Sequence, residues 1–517
     1  MRLARPRSSL LVLPALLIAA GAPAAATATT SERPNVIVVV TDDQPDSTLT
    51  PGTMPNVTRL IARPGSRFTS SVVPTPLCCP SRSAFLSGEF GHNNGVLWNV
   101  PGYRDLREKA NTLPVWMRRA GYRTAHVGKY LNGYRYTVPD PARPAPGWSE
   151  WHTVLDPTSY YSAPFSDDGR LHESGTAPRD YTTSIINRDA VRMIRRYGAG
   201  RRPLFMVVDQ FAPHRSGGPS RVPACAAPGP EPAVRDAGAF SAAPLPRPPS
   251  FNEPDASDKP SFIRDRDPYG PEQIANLERT YRCSLASLQA VDRGVAGIWR
   301  ELGRIGQRRN TALFFTSDNG LYFGEHRLSF EKIVPYRESL DVPLAIRLPG
   351  PPTGTGPIDR LVANVDLPAT ILDLAGAEPC RTHSDCRTLD GRSLVGLLRG
   401  RSAGWPADRA VPLELDTGGH PADPHSSCVY EGVRTAGSIY LHHSSIADGS
   451  GTCSPGDESE LYDLEDDPGQ LTNLLSPPVG PAAATPEMFL AARAAKLSTC
   501  AGIHGRDPRT AGRPFCE

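Results

Sequence analysis

The stretch Asn35-Val36-Ile37-Val38-Val39-Val40-Thr41-Asp42-Asp43-Gln44 sets an unbroken run of apolar, mostly β-branched residues directly before two carboxylates. A run with no polar alternation reads as a strand buried on both faces, as in a parallel sheet. The same design recurs three times. Tyr122-Arg123-Thr124-Ala125-His126-Val127 ends at Gly128-Lys129, and Pro203-Leu204-Phe205-Met206-Val207-Val208-Asp209 ends near Pro213-His214. Thr311-Ala312-Leu313-Phe314-Phe315 ends at Thr316-Ser317-Asp318-Asn319-Gly320. In each case a polar cluster follows the carboxyl end of an apolar strand. Open α/β sheets carry their sites at that edge, so four segments far apart in sequence are expected to converge.

Helical periodicity fills the intervals. Leu277, Tyr281, Leu285, Leu288, Val291, Val295, Ile298 and Leu302 repeat at three- and four-residue spacing and describe one buried helix face. Leu113 to Ala120 and Pro368 to Ala375 are shorter candidates. Residues 215–270 are rich in Pro and Ala with little periodicity, and read as an extended insertion over the sheet edge. From about residue 405 the pattern changes to short strands with Gly, Asp and Ser turns, such as Tyr430 to Val433 and Ser438 to Leu441. The expected organisation is a leader over 1–28, an α/β catalytic domain over 29–404 that contains the insertion, and a smaller C-terminal domain over 405–517.

With 56 Lys and Arg against 54 Asp and Glu, the net charge of +2 gives no basic footprint for nucleic acid. Arg2, Arg5 and Arg7 precede a short apolar run from Leu10 to Ala20 and the small residues Ala24-Ala25-Ala26, the pattern of a cleaved secretory leader. The run is too short and too Pro-interrupted for a membrane span, so the expectation is a secreted protein with no stable membrane anchor. Export places the 10 cysteines in an oxidising compartment. Eight fall into neighbours along the chain, suggesting the pairs 225–283, 380–386, 428–453 and 500–516, although spacing alone does not determine connectivity. Cys78 and Cys79 remain. His420, His425, His442 and His443 read as surface residues, and His326 as either a substrate contact or a turn residue.

Asp42-Asp43 at one strand end and Asp318-Asn319 at another supply hard oxygen donors, a set that suits Ca²⁺ or Mg²⁺ rather than Zn²⁺. Any one such pair is by itself an ordinary turn or cap. Two pairs, each following a buried strand, favour a metal.

The run Pro76-Leu77-Cys78-Cys79-Pro80-Ser81-Arg82-Ser83-Ala84-Phe85-Leu86-Ser87-Gly88 resembles the C-x-P-S-R signature of the type I sulfatase family, in which the first cysteine is oxidised to formylglycine. The similarity extends from Pro34-Asn35 through Leu461-Tyr462-Asp463-Leu464 and Asp467-Pro468. Gly128-Lys129-Tyr130-Leu131-Asn132 and Pro248-Pro249-Ser250-Phe251-Asn252-Glu253 with Ser257-Asp258-Lys259-Pro260 bring it nearest the N-acetylglucosamine-6-sulfatase-like branch. The resemblance implies an alkaline-phosphatase-like α/β fold, a mostly parallel central sheet flanked by helices, with a smaller C-terminal antiparallel-sheet domain. It implies one divalent ion, usually Ca²⁺, held by Asp42, Asp43, Asp318, Asn319 and the formylglycine from Cys78. It casts Arg82 as the residue holding the formylglycine, and Lys129, His214 and Lys332 as binders of sulfate and of the leaving-group oxygen. It also implies a sulfated carbohydrate such as N-acetylglucosamine-6-sulfate as substrate, and a formylglycine-generating enzyme as maturation partner. Many members carry His two residues after the first of these lysines. Here that residue is Leu131, which leaves His214 or Lys332 as the acid. Two competing expectations are a phosphonate monoester or phosphodiester hydrolase of the same superfamily, and a sulfated-glycan-binding protein without turnover.

Overall fold

A computed structural model describes residue 1 and residues 33–517, apart from 219, 226–227, 422, 477–480 and 511, and only the backbone of 481–485. The leader expected over 1–28 lies, but for Met1, outside the described residues. In chain order the strands are β1 (Asn35–Thr41), β2 (Ser66–Phe68), β3 (Ser71–Val72), β4 (Arg123–Lys129), β5 (Glu150–Val154), β6 (Pro164–Asp167), β7 (Arg170–Glu173), β8 (Leu204–Asp209) and β9 (Thr311–Ser317). They continue as β10 (Leu344–Arg347), β11 (Gly356–Ile358), β12 (Val362–Ala363), β13 (Ala410–Asp416), β14 (Ser427–Thr435), β15 (Ser438–Ala447) and β16 (Cys453–Asp463).

The large sheet runs β11-β2-β10-β9-β1-β8-β4-β5-β6-β7. The four strands expected from the apolar runs are four adjacent central members, β9-β1-β8-β4, all parallel. Pairing is antiparallel where β10 meets β9 and β2, and from β5 through β7. Side chains of β1 alternate between two apolar clusters: Val36, Val38 and Val40 face one, Ile37 and Val39 the other. Phe205 and Val207 of β8 and Ala312 and Phe314 of β9 follow the first face, Met206, Val208, Leu313 and Phe315 the second. This two-sided burial is why the runs lack polar alternation. The register sets Val40 beside Asp209, Thr41 beside Ser317, and Gly128 beside Asp209, so the carboxyl ends are level.

The helical face expected over Leu277 to Leu302 belongs to a helix spanning Pro271–Arg304, and the shorter candidates appear as Leu113–Arg119 and Asp366–Ala375. The Pro-rich insertion is pinned to the long helix by the disulfide Cys225–Cys283, and Phe251 bridges to Glu325 in the loop after β9. Disulfides also join Cys380–Cys386, Cys428–Cys453 and Cys500–Cys516, the pairing of chain neighbours, while Cys78 and Cys79 are free. Among the described residues no helix is long and apolar enough to cross a membrane.

The second sheet, β13-β14-β15-β16, is antiparallel throughout. One expectation fails here: His443 is not a surface residue. It is fully buried, with Nδ1 2.8 Å from Ser427 Oγ and Nε2 2.8 Å from Glu460 Oε1. An exposed strand would turn alternate residues to water, but both faces of β15 are covered near its middle. His420 and His425 are exposed, and His442 is half-buried.

His92, in the short helix Gly91–Asn94, ties that helix to the second sheet. Its Nδ1 lies 2.7 Å from Glu414 Oε2 on β13 and its Nε2 3.0 Å from Cys500 O, two acceptors that suit the doubly protonated ring. Burial works against the charge, but Glu414, the Cys500 carbonyl and Asp390 raise the imidazole pKa from 6.5 to about 9. A folded-state pKa above the unfolded value contributes stability that is complete below 6.5 and fades as pH rises through about 9. His92→Gln should therefore be less stable than the parent by roughly 2 kcal/mol near about pH 6 and converge with it near about pH 10. Urea denaturation at both pH values checks this; a pH-independent difference contradicts it.

Candidate active site at the carboxyl edge of the sheet

The chain enters the helix Cys78–Ser87 from extended Leu77 (φ −152°, ψ 143°), and Gly88 closes it in the left-handed region (φ 72°). Pro80 is tolerated because it lies in the first turn, where its missing N–H has no intrahelical acceptor to lose. All ten residues of the helix are buried. A four-residue step puts Cys78 and Arg82 on one face, which is the physical content of their spacing. Cys78 Sγ lies 3.5 Å from Asp42 Oδ1 and 3.0 Å from Lys332 Nζ. Cys79 faces the other way: its Sγ lies 3.8 Å from Asn132 O, within the apolar cluster on that side of the sheet.

Arg82 Nε donates to Asp318 Oδ2 at 2.9 Å and Nη1 to Asp209 Oδ1 at 2.6 Å. Its Nη2 is buried with no hydrogen bond and lies 3.9 Å from Asp42 Oδ2. Asp43 N donates to Asp318 Oδ1 at 3.2 Å, and Asn319 Nδ2 to Asp43 Oδ1 at 2.7 Å. Lys129 is ion-paired to Asp42 and Lys332 to Asp43, while His214 Nε2 stands 3.6 Å from Asp43 Oδ2. All nine residues singled out in the sequence thus meet in one network formed by the carboxyl ends of β1, β4, β8 and β9, the loops that follow them and the helix Cys78–Ser87. Lys129, at the end of a strand, is buried rather than solvated.

The electrostatics are those of a crowded, largely dry site. Burial alone would raise the Asp42 carboxyl, but Lys129, His214, Arg82 and Lys332 hold it well below the usual range. Burial and the neighbouring Asp42 push Asp318 up to about 7 despite Arg82. Burial lowers His214 to about 4, with Asp42 and Asp43 opposing and the two lysines assisting. Burial lifts the Cys78 thiol to about 11 even with Lys129 and Lys332 nearby, so an unmodified thiol here stays protonated at neutral pH. Asp42, Asp43, Cys78 and His214 present ligand atoms within 4.8 Å of one another. Asn319 Oδ1 is buried without a hydrogen-bond partner beside this group. A hard cation fits the oxygen donors of Asp42, Asp43 and Asn319 in this group, since it relieves crowded carboxylates and gives the orphaned amide oxygen a partner.

Sequence reasoning passed over Asp209 and His126. Asp209 takes Arg82 on one oxygen and His126 Nε2 on the other at 3.0 Å, and His126 Nδ1 reaches Thr153 Oγ1 at 2.7 Å. The signal was present, because Asp209 ends its apolar strand as the other acids follow theirs. His326 is a turn residue: fully buried at φ 51°, with Nδ1 2.8 Å from Glu253 Oε2 of the insertion. Leu131 is buried in the apolar core.

Residues 34–377 match the family model described as Sulfatase. The chain belongs to the sulfatase family. Its members are sulfuric ester hydrolases, and as a family they use a divalent metal and formylglycine. An N-acetylglucosamine-6-sulfatase of Homo sapiens is 31% identical over 479 residues, 85% of this sulfatase chain and 81% of its own. An extracellular sulfatase homolog of Caenorhabditis elegans is 31% identical over 374 residues, 70% of this chain; the chain spans about half (49%) of that relative's length. A solved structure described as in complex with its substrate, D-glucosamine-2-N,6-O-disulfate, superposes with a TM-score of 0.69 at 25% identity, covering 89% of this chain and 97% of that one.

Asp209→Ala would leave the buried Arg82 and His126 facing a missing partner and should destabilise this sulfatase by roughly 3 kcal/mol, because an uncompensated buried charge is costly. Asp209→Asn, which keeps an acceptor, should cost less. Equilibrium urea denaturation of the two variants decides, and equal or negligible losses refute the assignment.

Proposed function

We propose that the chain hydrolyses a sulfate ester on a sulfated carbohydrate, with glucosamine-6-sulfate as the favoured unit, using formylglycine made from Cys78 and one Ca²⁺. The observation that carries this reading is the placement of Cys78 Sγ between Asp42 and Lys332, grouped with the carboxylates of Asp42 and Asp43 and with His214. The likeness to a glucosamine-6-sulfatase and to a protein solved with a disulfated glucosamine supports the sugar.

When present, the cation and the hydrated aldehyde supply charge neutralisation at the sulfate and an attacking hydroxyl. The chain's own residues do the rest. Asp42, Asp43, Asp318 and Asn319 hold the cation. Arg82, anchored by Asp318 and Asp209, has Nη2 free to orient side chain 78. Lys129 and Lys332 bind the non-bridging oxygens, preorganised donors in a site that excludes most water. The departing alcohol takes its proton from His214 Nε2 or Lys332 Nζ, the two groups beside Asp43; Lys332 already carries that proton, whereas His214, lowered to about 4 by burial, must first gain one. An unmodified thiol held at about 11 would serve poorly as nucleophile, which favours the oxidised side chain. The basic and apolar leader pattern and four disulfides support export, with oxidation of Cys78 by a formylglycine-generating enzyme during maturation.

The peptide containing Cys78 should carry an aldehyde by mass spectrometry, and the protein should turn over glucosamine-6-sulfate and an aryl sulfate in preference to aryl phosphate and phosphonate esters. Cys78→Ala should reduce sulfatase kcat by at least about a thousandfold, while Cys79→Ala remains active. Preference for phosphorus esters, or a fully active Cys78→Ala, overturns the proposal. A separate expectation concerns the metal. Ca²⁺ at about a hundred times its Kd should stabilise the fold by about 2.7 kcal/mol. That gain should vanish in Asp43→Asn, as read by thermal unfolding with Ca²⁺ and with chelator.

A further inference from the structure

A second group of ligand-type side chains lies on the antiparallel margin of the large sheet. Glu150 opens β5 and Val154 closes it level with Lys129, so Glu150 and His152 sit toward the opposite end of the strand from the acid-and-lysine cluster. Two residues apart on a strand, they point to one face of the sheet, the face covered by the helix Thr182–Tyr197, which supplies Asp189 and Arg192. Asp168 comes from the tight Asp168-Gly169 turn between β6 and β7, with both residues at positive φ (44° and 95°), as a two-residue hairpin requires. That turn is fixed against β5. Asp168 N donates to Trp151 O at 2.8 Å, and Asp168 Oδ1 accepts from Trp151 N at 2.7 Å, which leaves Oδ2 to face His152. Glu150, His152 and Asp168 bring ligand atoms within 4.8 Å of one another.

Clustered acids alone are ordinary surface chemistry, and His152 is what sets this group apart. The residue is 4% exposed, and its Nε2 is buried with no hydrogen-bond partner. Nδ1 lies against Asp167 Oδ1, closer than its 3.5 Å to Arg192 Nη2, so Nδ1 keeps a hydrogen and Nε2 presents its lone pair. A carboxylate behind an imidazole in this way orients a metal-binding histidine. Nε2 stands 3.5 Å from Asp168 Oδ2. That is long for a hydrogen bond, and close to the roughly 3.4 Å between two ligands each about 2.1 Å from a tetrahedral ion. The charges agree. Arg123 meets Glu150 at 3.4 Å, and Arg192 is shared by Asp167 at 3.9 Å and Asp189 at 3.1 Å. Among the described residues Asp168 pairs with no lysine or arginine. Four carboxylates facing two guanidiniums leave a surplus that one divalent cation neutralises.

We propose that Glu150, His152 and Asp168 form a site for a divalent transition-metal ion, Zn²⁺ by preference, with water completing the coordination. One imidazole nitrogen with two carboxylate oxygens favours Zn²⁺ over Ca²⁺, which takes six or more oxygens. Asp168, its side chain 45% exposed, forms the mouth through which the ion enters, and Asp167 holds the ring in place. The bound ion ties β5 to the turn between β6 and β7, so its effect is on the stability of this margin of the sheet. The site is separate from the sulfatase reading and needs neither formylglycine nor a sulfate ester.

The test is Zn²⁺ binding by the intact protein after chelator treatment, with Ca²⁺ in excess to occupy the cluster around Asp42, read by equilibrium dialysis and by thermal unfolding. The parent should retain Zn²⁺ and gain thermal stability from it. Asp168→Asn keeps an oxygen acceptor for Trp151 N, so its fold should survive, but it should bind Zn²⁺ at least about tenfold more weakly and lose the thermal gain. His152→Gln should behave alike; if it fails to fold, Asp168→Asn decides. Asp43→Asn, in the other cluster, should leave Zn²⁺ binding unchanged. A parent that binds no Zn²⁺ overturns the proposal and leaves His152 as the centre of an ion pair. Unchanged affinity in Asp168→Asn overturns it too, as does Zn²⁺ lost only in Asp43→Asn, which would place the ion beside Cys78.

Discussion

The buried guanidinium of Arg82 is the constraint on which the site depends. It links the helix Cys78–Ser87 to Asp318 after β9 and to Asp209 at the end of β8, with Asp42 of the loop after β1 3.9 Å from its third nitrogen. Three neighbouring parallel strands thus have their carboxyl ends tied to one side chain, and the helix carrying Cys78 is held against them. A buried ion pair of this kind contributes little net stability over an apolar replacement, since desolvation offsets the attraction. What it supplies is position. Leaving any one carboxylate out would leave charge uncompensated in a region closed to water.

Around that anchor, charge is balanced locally. Asp42, Asp43, Asp318 and Asp209 face Arg82, Lys129 and Lys332, with His214 held toward its neutral form by burial. The surplus is one negative charge, and Asp318, raised to about 7, is where the strain of crowding falls. A divalent cation tips that surplus to positive, which is the sign an anionic ester requires. The same arrangement explains why the acids end strands or follow them directly: a parallel sheet with both faces covered leaves only its edge for charged groups.

Much of this was legible in the sequence because burial on two faces imposes a continuous apolar run, and the polar residue that ends each run has only the edge to occupy. That logic located Asp42, Asp43, Asp318 and Asn319 and predicted the convergence of the strand ends. Cys78, Arg82, Lys129, His214 and Lys332 needed the resemblance, because a lone lysine ending a strand is ordinarily solvated, Lys332 lies in a loop without periodicity and His214 follows Pro213 in a turn. Asp209 was missed although it obeys the same rule, since a single acid ending a strand is weak evidence beside a pair. His443 was misjudged for a different reason. Its burial depends on Phe262 and on Glu460, contacts across 181 and 17 residues that no local pattern announces.

The departure at Leu131 sharpens what the loop after β4 does. Lys129 turns toward Asp42, Leu131 turns into the apolar core at 2% exposure, and Asn132 stands at an open cleft. A polar ring at 131 would have to be buried in the apolar cluster, at a cavity that Leu131 lines with Phe85, Leu86 and Tyr130, where it would need a partner as His126 needs Asp209 and Thr153. Leucine removes that demand and packs the loop, and the proposed mechanism places the acid for the leaving group with His214 or Lys332 beside Asp43. The loop is thereby divided by sequence position: Lys129 joins the acid cluster, Leu131 packs the core, and Asn132 lines the cleft beside the helix Cys78–Ser87.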